Sequence, residues 1–79
     1  MTYRLQLKIR HRPEVLERVL RVTRHRGFSV TAMTFSLEDG ENAILELLVV
    51  SGRAIELLCN QLNKLIDVIH CEEASANIE

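Results

Sequence analysis

From Pro13 to Val30 the chain spells out a helix, its stop and the start of a strand, with no linker between them. Val15, Leu16, Val19, Leu20 and Val22 recur at close to helical spacing, so the helix has one apolar face. Pro13 suits a first helical position, where a missing N–H costs nothing, and Glu14 and Glu17 lie in the electropositive first turns. Arg24, His25 and Arg26 crowd the last turn, where cations suit the carbonyl end, and Gly27 can take the left-handed conformation that ends a helix. Helix, glycine cap, strand is the expected order.

The flanking segments extend that unit in both directions. Tyr3, Leu5, Leu7 and Ile9 alternate with basic or amide side chains up to His11, as in a strand with one buried face, and His11-Arg12-Pro13 forms the loop into the helix. A second strand runs from Phe28 to about Leu37. Its apolar parity switches between Phe28, Val30, Ala32 and Met33, Phe35, Leu37, which predicts a bulge or a half-strand covered by a different surface. Glu38-Asp39-Gly40-Glu41-Asn42 contains Asp-Gly and reads as a hairpin turn. Ala43 to Val50 is apolar on both faces apart from Glu46, which points to a central strand or an interface. Ser51 is the expected N-cap of a second helix whose stripe is Ala54, Ile55, Leu58, Leu62 and Leu65, ending near Asn63-Lys64. A fourth strand is expected from Ile66 to about Glu72.

The predicted order, β-α-β-β-α-β, has one main solution under right-handed crossovers and adjacent hairpins. It is an α+β, ferredoxin-like domain over residues 1–73: a four-stranded antiparallel sheet of order 4-1-3-2, two helices on one face, and a flexible tail over 74–79. The uncovered sheet face and an open edge are then available to a partner.

Seventy-nine residues make one small domain, for which self-association or a partner is a natural source of further burial. No apolar run approaches the roughly 20 residues of a membrane span and no signal-peptide pattern opens the sequence. Cys59 and Cys71 make no Cys-x-x-Cys motif. A soluble cytoplasmic protein is expected. Charge is lopsided: residues 1–26 hold eight of the ten Lys and Arg against Glu14 and Glu17, a net of +6, and the remainder nets −7. That asymmetry fits either an oriented contact with a partner or a solvated surface with internal pairing. Glu14–Arg18 and Glu17–Arg21 have the favourable i,i+4 direction for such pairing.

The chemistry of several function classes is missing. A metallochaperone would carry a Cys-x-x-Cys loop where His11-Arg12-Pro13 stands. An RNA-recognition domain would stack bases on aromatics of its central strands, whereas the only aromatics are Tyr3, Phe28 and Phe35. His11, His25 and His70 have no metal-ligand spacing, His25 reads as a helix-end cation, and His70 and Cys71 point to opposite faces of a strand. Neither nucleophile constellation, paired carboxylates nor glycine-rich phosphate loop occurs. These residues describe a binding or regulatory module, with no nucleic acid, membrane or metal expected.

Leu16-Glu17-Arg18-Val19 followed by Arg26-Gly27-Phe28-Ser29-Val30 resembles the L-x-R-V…R-G-[YF]-x-[IV] pattern of the ACT domain in acetolactate (acetohydroxy acid) synthase small subunits. The helix Pro13 to Val22 and the segment Gln61-Leu62-Asn63-Lys64-Leu65-Ile66-Asp67-Val68 resemble the short, isozyme II type, and the likeness runs over about residues 3–72. The resemblance implies a chain that does no chemistry itself. It would bind and activate a large subunit that carries thiamine diphosphate, Mg2+ and FAD and condenses pyruvate with pyruvate or 2-oxobutyrate in branched-chain amino-acid biosynthesis. It further implies side-by-side homodimers, with an effector such as valine seated near the loop after the first strand.

That loop departs from the family pattern. Valine-responsive relatives carry Asn-x-x-Gly there, and the matching positions hold His11 and Glu14. Glu14 adds bulk and negative charge where an effector carboxylate would meet backbone N–H groups, although it also suits the helix start on its own account. His11, Arg12, Pro13 and Glu14 are therefore expected to form a degenerate effector loop, and the chain to be insensitive to valine. Arg18, Arg21 and Arg24, with Met33, Phe35 and Leu37 as an apolar patch, are the candidate partner contacts. The competing readings are a stand-alone homodimeric ACT module that senses an amino acid, and, less favoured, a stand-alone enzyme of ferredoxin-like fold.

Overall fold

The structure, a computed structural model, describes residues 1–74. Six elements follow one another: β1 (Thr2–Arg10), α1 (Pro13–His25), β2 (Ser29–Leu37), β3 (Asn42–Val50), α2 (Ile55–Asn63) and β4 (Val68–Glu73). The strands form one antiparallel sheet in the order β2-β3-β1-β4, the 4-1-3-2 arrangement expected from the sequence. β1 and β3 are central; one face of β3 lies under the helices, and Ile44 and Leu48 on the other are half-buried. Most of the expected tail, residues 75–79, lies outside the described residues; Ala74 donates its N–H to the Arg4 carbonyl at 2.8 Å and so continues the β4 edge.

Alternation puts Leu5, Leu7 and Ile9 of β1 and Ala43, Leu45, Leu47 and Val49 of β3 on the helix-bearing face, all fully buried. Val15 and Val19 of α1 and Ile55, Leu58 and Leu62 of α2 close over them, with Phe28, Val68 and Cys71 completing the core. Burying one such Leu, Ile or Val side chain contributes about 1.5–3 kcal/mol, so this shared core is the main force holding helices to sheet. The sequence stripe missed Thr23, which is fully buried; its hydroxyl donates to the Val19 carbonyl at 2.8 Å and so enters the core satisfied.

The junction after α1 is a Schellman cap. The N–H of Phe28 donates to the Thr23 carbonyl (3.1 Å) and that of Gly27 to the Arg24 carbonyl (3.0 Å), with Gly27 at φ +89°. The parity switch in β2 is a bulge: Val30 pairs with Val49 and Ala32 with Leu48, leaving Thr31 as the extra residue, with its hydroxyl donating to the Leu48 carbonyl at 3.2 Å. A second irregularity lies between Lys8 and Ile9 in the β1–β4 ladder, where Ile69 falls between the paired residues His70 and Val68.

Three local expectations change, and the expected hairpin closes by an aspartate side chain. Ser51 does not cap α2, which starts at Ile55 after an Ala54 N-cap that makes no side-chain bond. Its hydroxyl is taken elsewhere, donating to the Gly27 carbonyl and accepting from Arg53 N–H. The β2–β3 turn does not use Gly40 in a left-handed conformation. Instead the Asp39 carboxylate accepts from the N–H groups of Glu41 and Asn42, both at 2.8 Å, and closes a longer loop. β4 begins at Val68, two residues later than expected, because the Leu62 and Leu65 carbonyls continue turn bonding to Leu65 and Val68 N–H. Finally, Glu14–Arg18 and Glu17–Arg21 are not ion pairs; among the described residues the pairs are Lys8–Glu38, Arg12–Asp67 and His70–Glu72.

Candidate functional site

Edge strand β2 carries the most conspicuous unpartnered surface. β3 pairs with only one of its edges, so the other presents open N–H and C=O groups. After the bulge, Met33, Phe35 and Leu37 stand opposite the buried Leu47, Leu45 and Ala43 and so face the helix side of the sheet. The helices do not reach far enough to cover them: they remain 46%, 39% and 57% exposed. Three large apolar side chains thus stand in a row on this open edge.

Between this edge and α1 runs a shallow groove. Its upper part, a cavity of about 360 Å³, is lined by Leu20 and Arg24 from α1 and by Val30 to Met33 from the bulge region. Without the bulge, Val30 and Met33 would fall on opposite faces; the extra residue brings both to the groove. The lower part, about 140 Å³, is walled by Leu16, Phe35 and the loop Ile9 to Pro13. The His11 ring lies 5.9 Å from that of Phe35, tilted by 52°, and ties the loop to the edge strand. A third cavity, about 350 Å³, lies on the other side of the loop between Arg10, His11, Arg12 and the β2–β3 turn.

The loop itself is held by main-chain bonds. His11 N–H donates to the Glu41 carbonyl (2.8 Å), Arg12 N–H to Arg10 (3.0 Å) and Val15 N–H to Arg12 (3.2 Å), while the Arg12 guanidinium lies 3.9 Å from the Asp67 carboxylate. Arg12 is the N-cap and makes no side-chain cap bond, and Pro13 has no N–H to offer. Three of the four loop residues, His11, Arg12 and Pro13, line these cavities. Glu14, exposed in the first turn of α1, lines neither.

The six partner-contact candidates do not form one patch. Met33, Phe35 and Leu37 share the β2 edge, and Arg24 joins them across the groove. Arg21 faces the opposite way, toward α2, and Arg18 stands exposed on α1 outside both. Leu16 and Leu20 of the apolar helix face and Val30 of β2 are half-buried groove walls. Periodicity marked them apolar without showing that β2, at the edge, lacks a covering helix.

The two thiols are not activated. Burial pushes the Cys71 thiol far up, and Cys59 is raised as well, chiefly by burial. Asn63 grips the Cys71 backbone, accepting from its N–H (3.0 Å) and donating to its carbonyl (3.1 Å). Among the described residues no group of three or more His, Cys, Asp or Glu is placed to hold a metal, and no helix is long and apolar enough to cross a membrane.

Comparison with known proteins agrees with this arrangement. The sequence pattern of the ACT domain family matches residues 11–71. The chain is 49% identical over 71 residues to the acetolactate synthase isozyme 2 small subunit of Escherichia coli strain K12, covering 89% of this chain and 82% of that one. It is 31% identical over 75 residues to a probable acetolactate synthase small subunit of Archaeoglobus fulgidus, covering 92% of this chain and 47% of that one. Among solved structures, the acetolactate synthase small subunit of Thermotoga maritima superposes with a TM-score of 0.79 at 21% identity, over 92% of this chain and 47% of that one. The ACT domain of the GTP pyrophosphokinase of Chlorobium tepidum gives the same TM-score at 10% identity, over 94% and 97%. At such identities the last two establish the fold.

Proposed function

The chain belongs to the ACT-domain family of acetolactate synthase small subunits, and we propose that it is a non-catalytic regulatory subunit that binds and activates a large catalytic subunit. The observation that carries this is the 49% identity to an isozyme 2 small subunit over nearly the whole of both chains. In this reading thiamine diphosphate, Mg2+ and FAD reside on the large subunit. Pyruvate condensation takes place there, in the cytoplasm, as the first shared step toward valine, leucine and isoleucine.

The β2 edge supports self-association as part of the same reading. Two copies related by a twofold axis can pair their β2 strands, extend the sheet and cover Met33, Phe35 and Leu37 from both sides. Such an isologous contact closes on itself and uses up the β2 edge of both copies. His11 and Phe35 then sit at the rim of the pair, where an effector pocket would form.

That pocket is poorly equipped to hold an amino acid. An effector carboxylate needs backbone N–H donors at the start of α1. The N–H groups of His11, Arg12 and Val15 are already bonded, and Pro13 has none. Only Glu14 N–H is left at the junction, beside the negative side chain of the same residue. The subunit therefore activates without conferring valine inhibition.

Size-exclusion chromatography with an isozyme II-type large subunit tests the partnership, and calorimetry with valine tests the loop. Co-elution with no saturable heat up to millimolar valine is the expected result. Separate elution would overturn the assignment of partner, and saturable valine binding would overturn the argument about the loop.

A further inference from the structure

We propose that the cleft between the antiparallel helices α1 and α2 is a docking site for an acidic segment of the large subunit; the partner's identity rests on the function proposed above. The cleft measures about 510 Å³ and lies on the helix layer, away from the β2 edge. Arg21, His25 and Arg26 approach it from α1 and Lys64 from the cap of α2, over an apolar base formed by Val22 and Leu65. The Arg26 guanidinium is held toward α2 by donating to the Gln61 side-chain oxygen at 3.1 Å.

No carboxylate lines the cleft, and among the described residues none of these four side chains forms an ion pair. Each helix end favours its own cation through the dipole. Side by side, the two helices nevertheless bring three permanent positive charges to one cleft with no carboxylate among its lining residues. Arg24, which turns to the other side of α1, shows that a last-turn cation need not point here.

The choice of occupant follows from symmetry and from the donors present. A second copy meeting the cleft through a twofold axis would set its own cations against these. A copy offering an acidic surface from elsewhere would make a head-to-tail contact that runs on into a chain of molecules. A compact phosphate favours converging main-chain N–H groups, whereas the charges lining this cleft are carried on long side chains. Carboxylates spread along a protein surface suit long, mobile cationic stems, and charge complementarity of this kind steers association and makes it salt-dependent.

The test measures affinity of the full-length chain for the large subunit at about 50 and 300 mM salt. The Arg21→Glu/Lys64→Glu variant is compared with Arg4→Glu/Lys8→Glu, which makes the same charge change on the opposite, helix-free face of the sheet. Thermal unfolding and sedimentation of each variant verify fold and self-association. The cleft variant is expected to lose at least tenfold in affinity at low salt and most of the salt dependence, with the sheet-face variant little changed. Equal affinity and salt dependence in the cleft variant and the unmodified chain would overturn the proposal while leaving the partnership intact. So would equal losses in both variants, or saturable binding of inorganic phosphate at the cleft by a chain whose cleft variant still binds the large subunit normally. Failure of the unmodified chain to bind would remove the partnership itself.

Discussion

The Ser51 hydroxyl donates to the Gly27 carbonyl at 2.8 Å, joining the turn after α1 to the turn before α2. The same oxygen accepts from Arg53 N–H at 3.0 Å, and the Arg53 side chain lies across Gly27, so close that a Cβ there would stand 2.7 Å from its Nε. Tyr3 adds a bond from its hydroxyl to the Arg53 carbonyl (3.3 Å) and packs its ring 6.4 Å from Phe28. One end of the domain is thus fastened by a node that involves both crossovers. Replacing Ser51 by Ala removes both bonds at a part-buried place, and about 0.5–1.5 kcal/mol of stability should be lost in chemical denaturation.

Gly27→Ala should cost about 1–2 kcal/mol from the left-handed backbone alone. The Arg53 side chain must also move. Combining it with Arg53→Ala should relieve the contact but not the backbone strain, so a double-mutant cycle read by urea unfolding separates the two. Full recovery in the double variant would show that φ at Gly27 carries no cost.

Phe35→Arg places a charge in the middle of the exposed β2 row and removes the contact with His11. The chain should stay folded, since Phe35 lies at the rim of the core, but sediment as a monomer at concentrations where the unmodified chain is a dimer. Retention of the dimer would move the self-association surface away from β2.

The Asp39 carboxylate is held below its ordinary value of 3.8 by the two N–H groups it accepts from, Glu41 first and then Asn42. A carboxylate lowered on folding stabilises the folded state above its unfolded value, and that contribution disappears as pH falls through the lowered one. Thermal midpoints should therefore drop below about pH 4 partly through this turn. Asp39→Asn, which can still accept both bonds, should show a smaller acid-induced drop than the unmodified chain, and Asp39→Ala should be less stable at neutral pH.

Cys71 is inaccessible and its thiol is strongly raised by burial. At pH 8 iodoacetamide should modify Cys59 slowly and Cys71 only under unfolding conditions, as peptide mass mapping would reveal. Rapid labelling of Cys71 in the folded chain would contradict its place beneath α2.

Much of this molecule was legible in its sequence because it is written in local periodicities. Alternation in β1, the stripe of α1, the stop at Gly27 and the parity switch around Thr31 each name a structure that residue spacing alone specifies. Ser51 was misread because a helix-capping residue near an apolar stripe looks the same whether its hydroxyl serves the next helix or, as here, a carbonyl 24 residues earlier. The hairpin at Glu38 to Asn42 stands where Asp-Gly places it, although the Asp39 side chain rather than a left-handed Gly40 closes it. The cleft of Arg21, His25, Arg26 and Lys64 was invisible as a unit, since it forms only when α1 and α2 are laid side by side. Arg18, Arg21 and Arg24 looked equivalent by composition, yet helical rotation sends them to three different surroundings.

Acetolactate formation from pyruvate tests the central claim most directly. The rate of an isozyme II-type large subunit, supplied with thiamine diphosphate, Mg2+ and FAD, would be followed with and without this chain, and then with added valine. A rise in rate on adding the chain, undiminished by millimolar valine, is the predicted result. No rise, with a large subunit known to respond to its own small subunit, would contradict the account; a rise that valine abolishes would keep the activating role and refute the degenerate effector loop at His11 to Glu14.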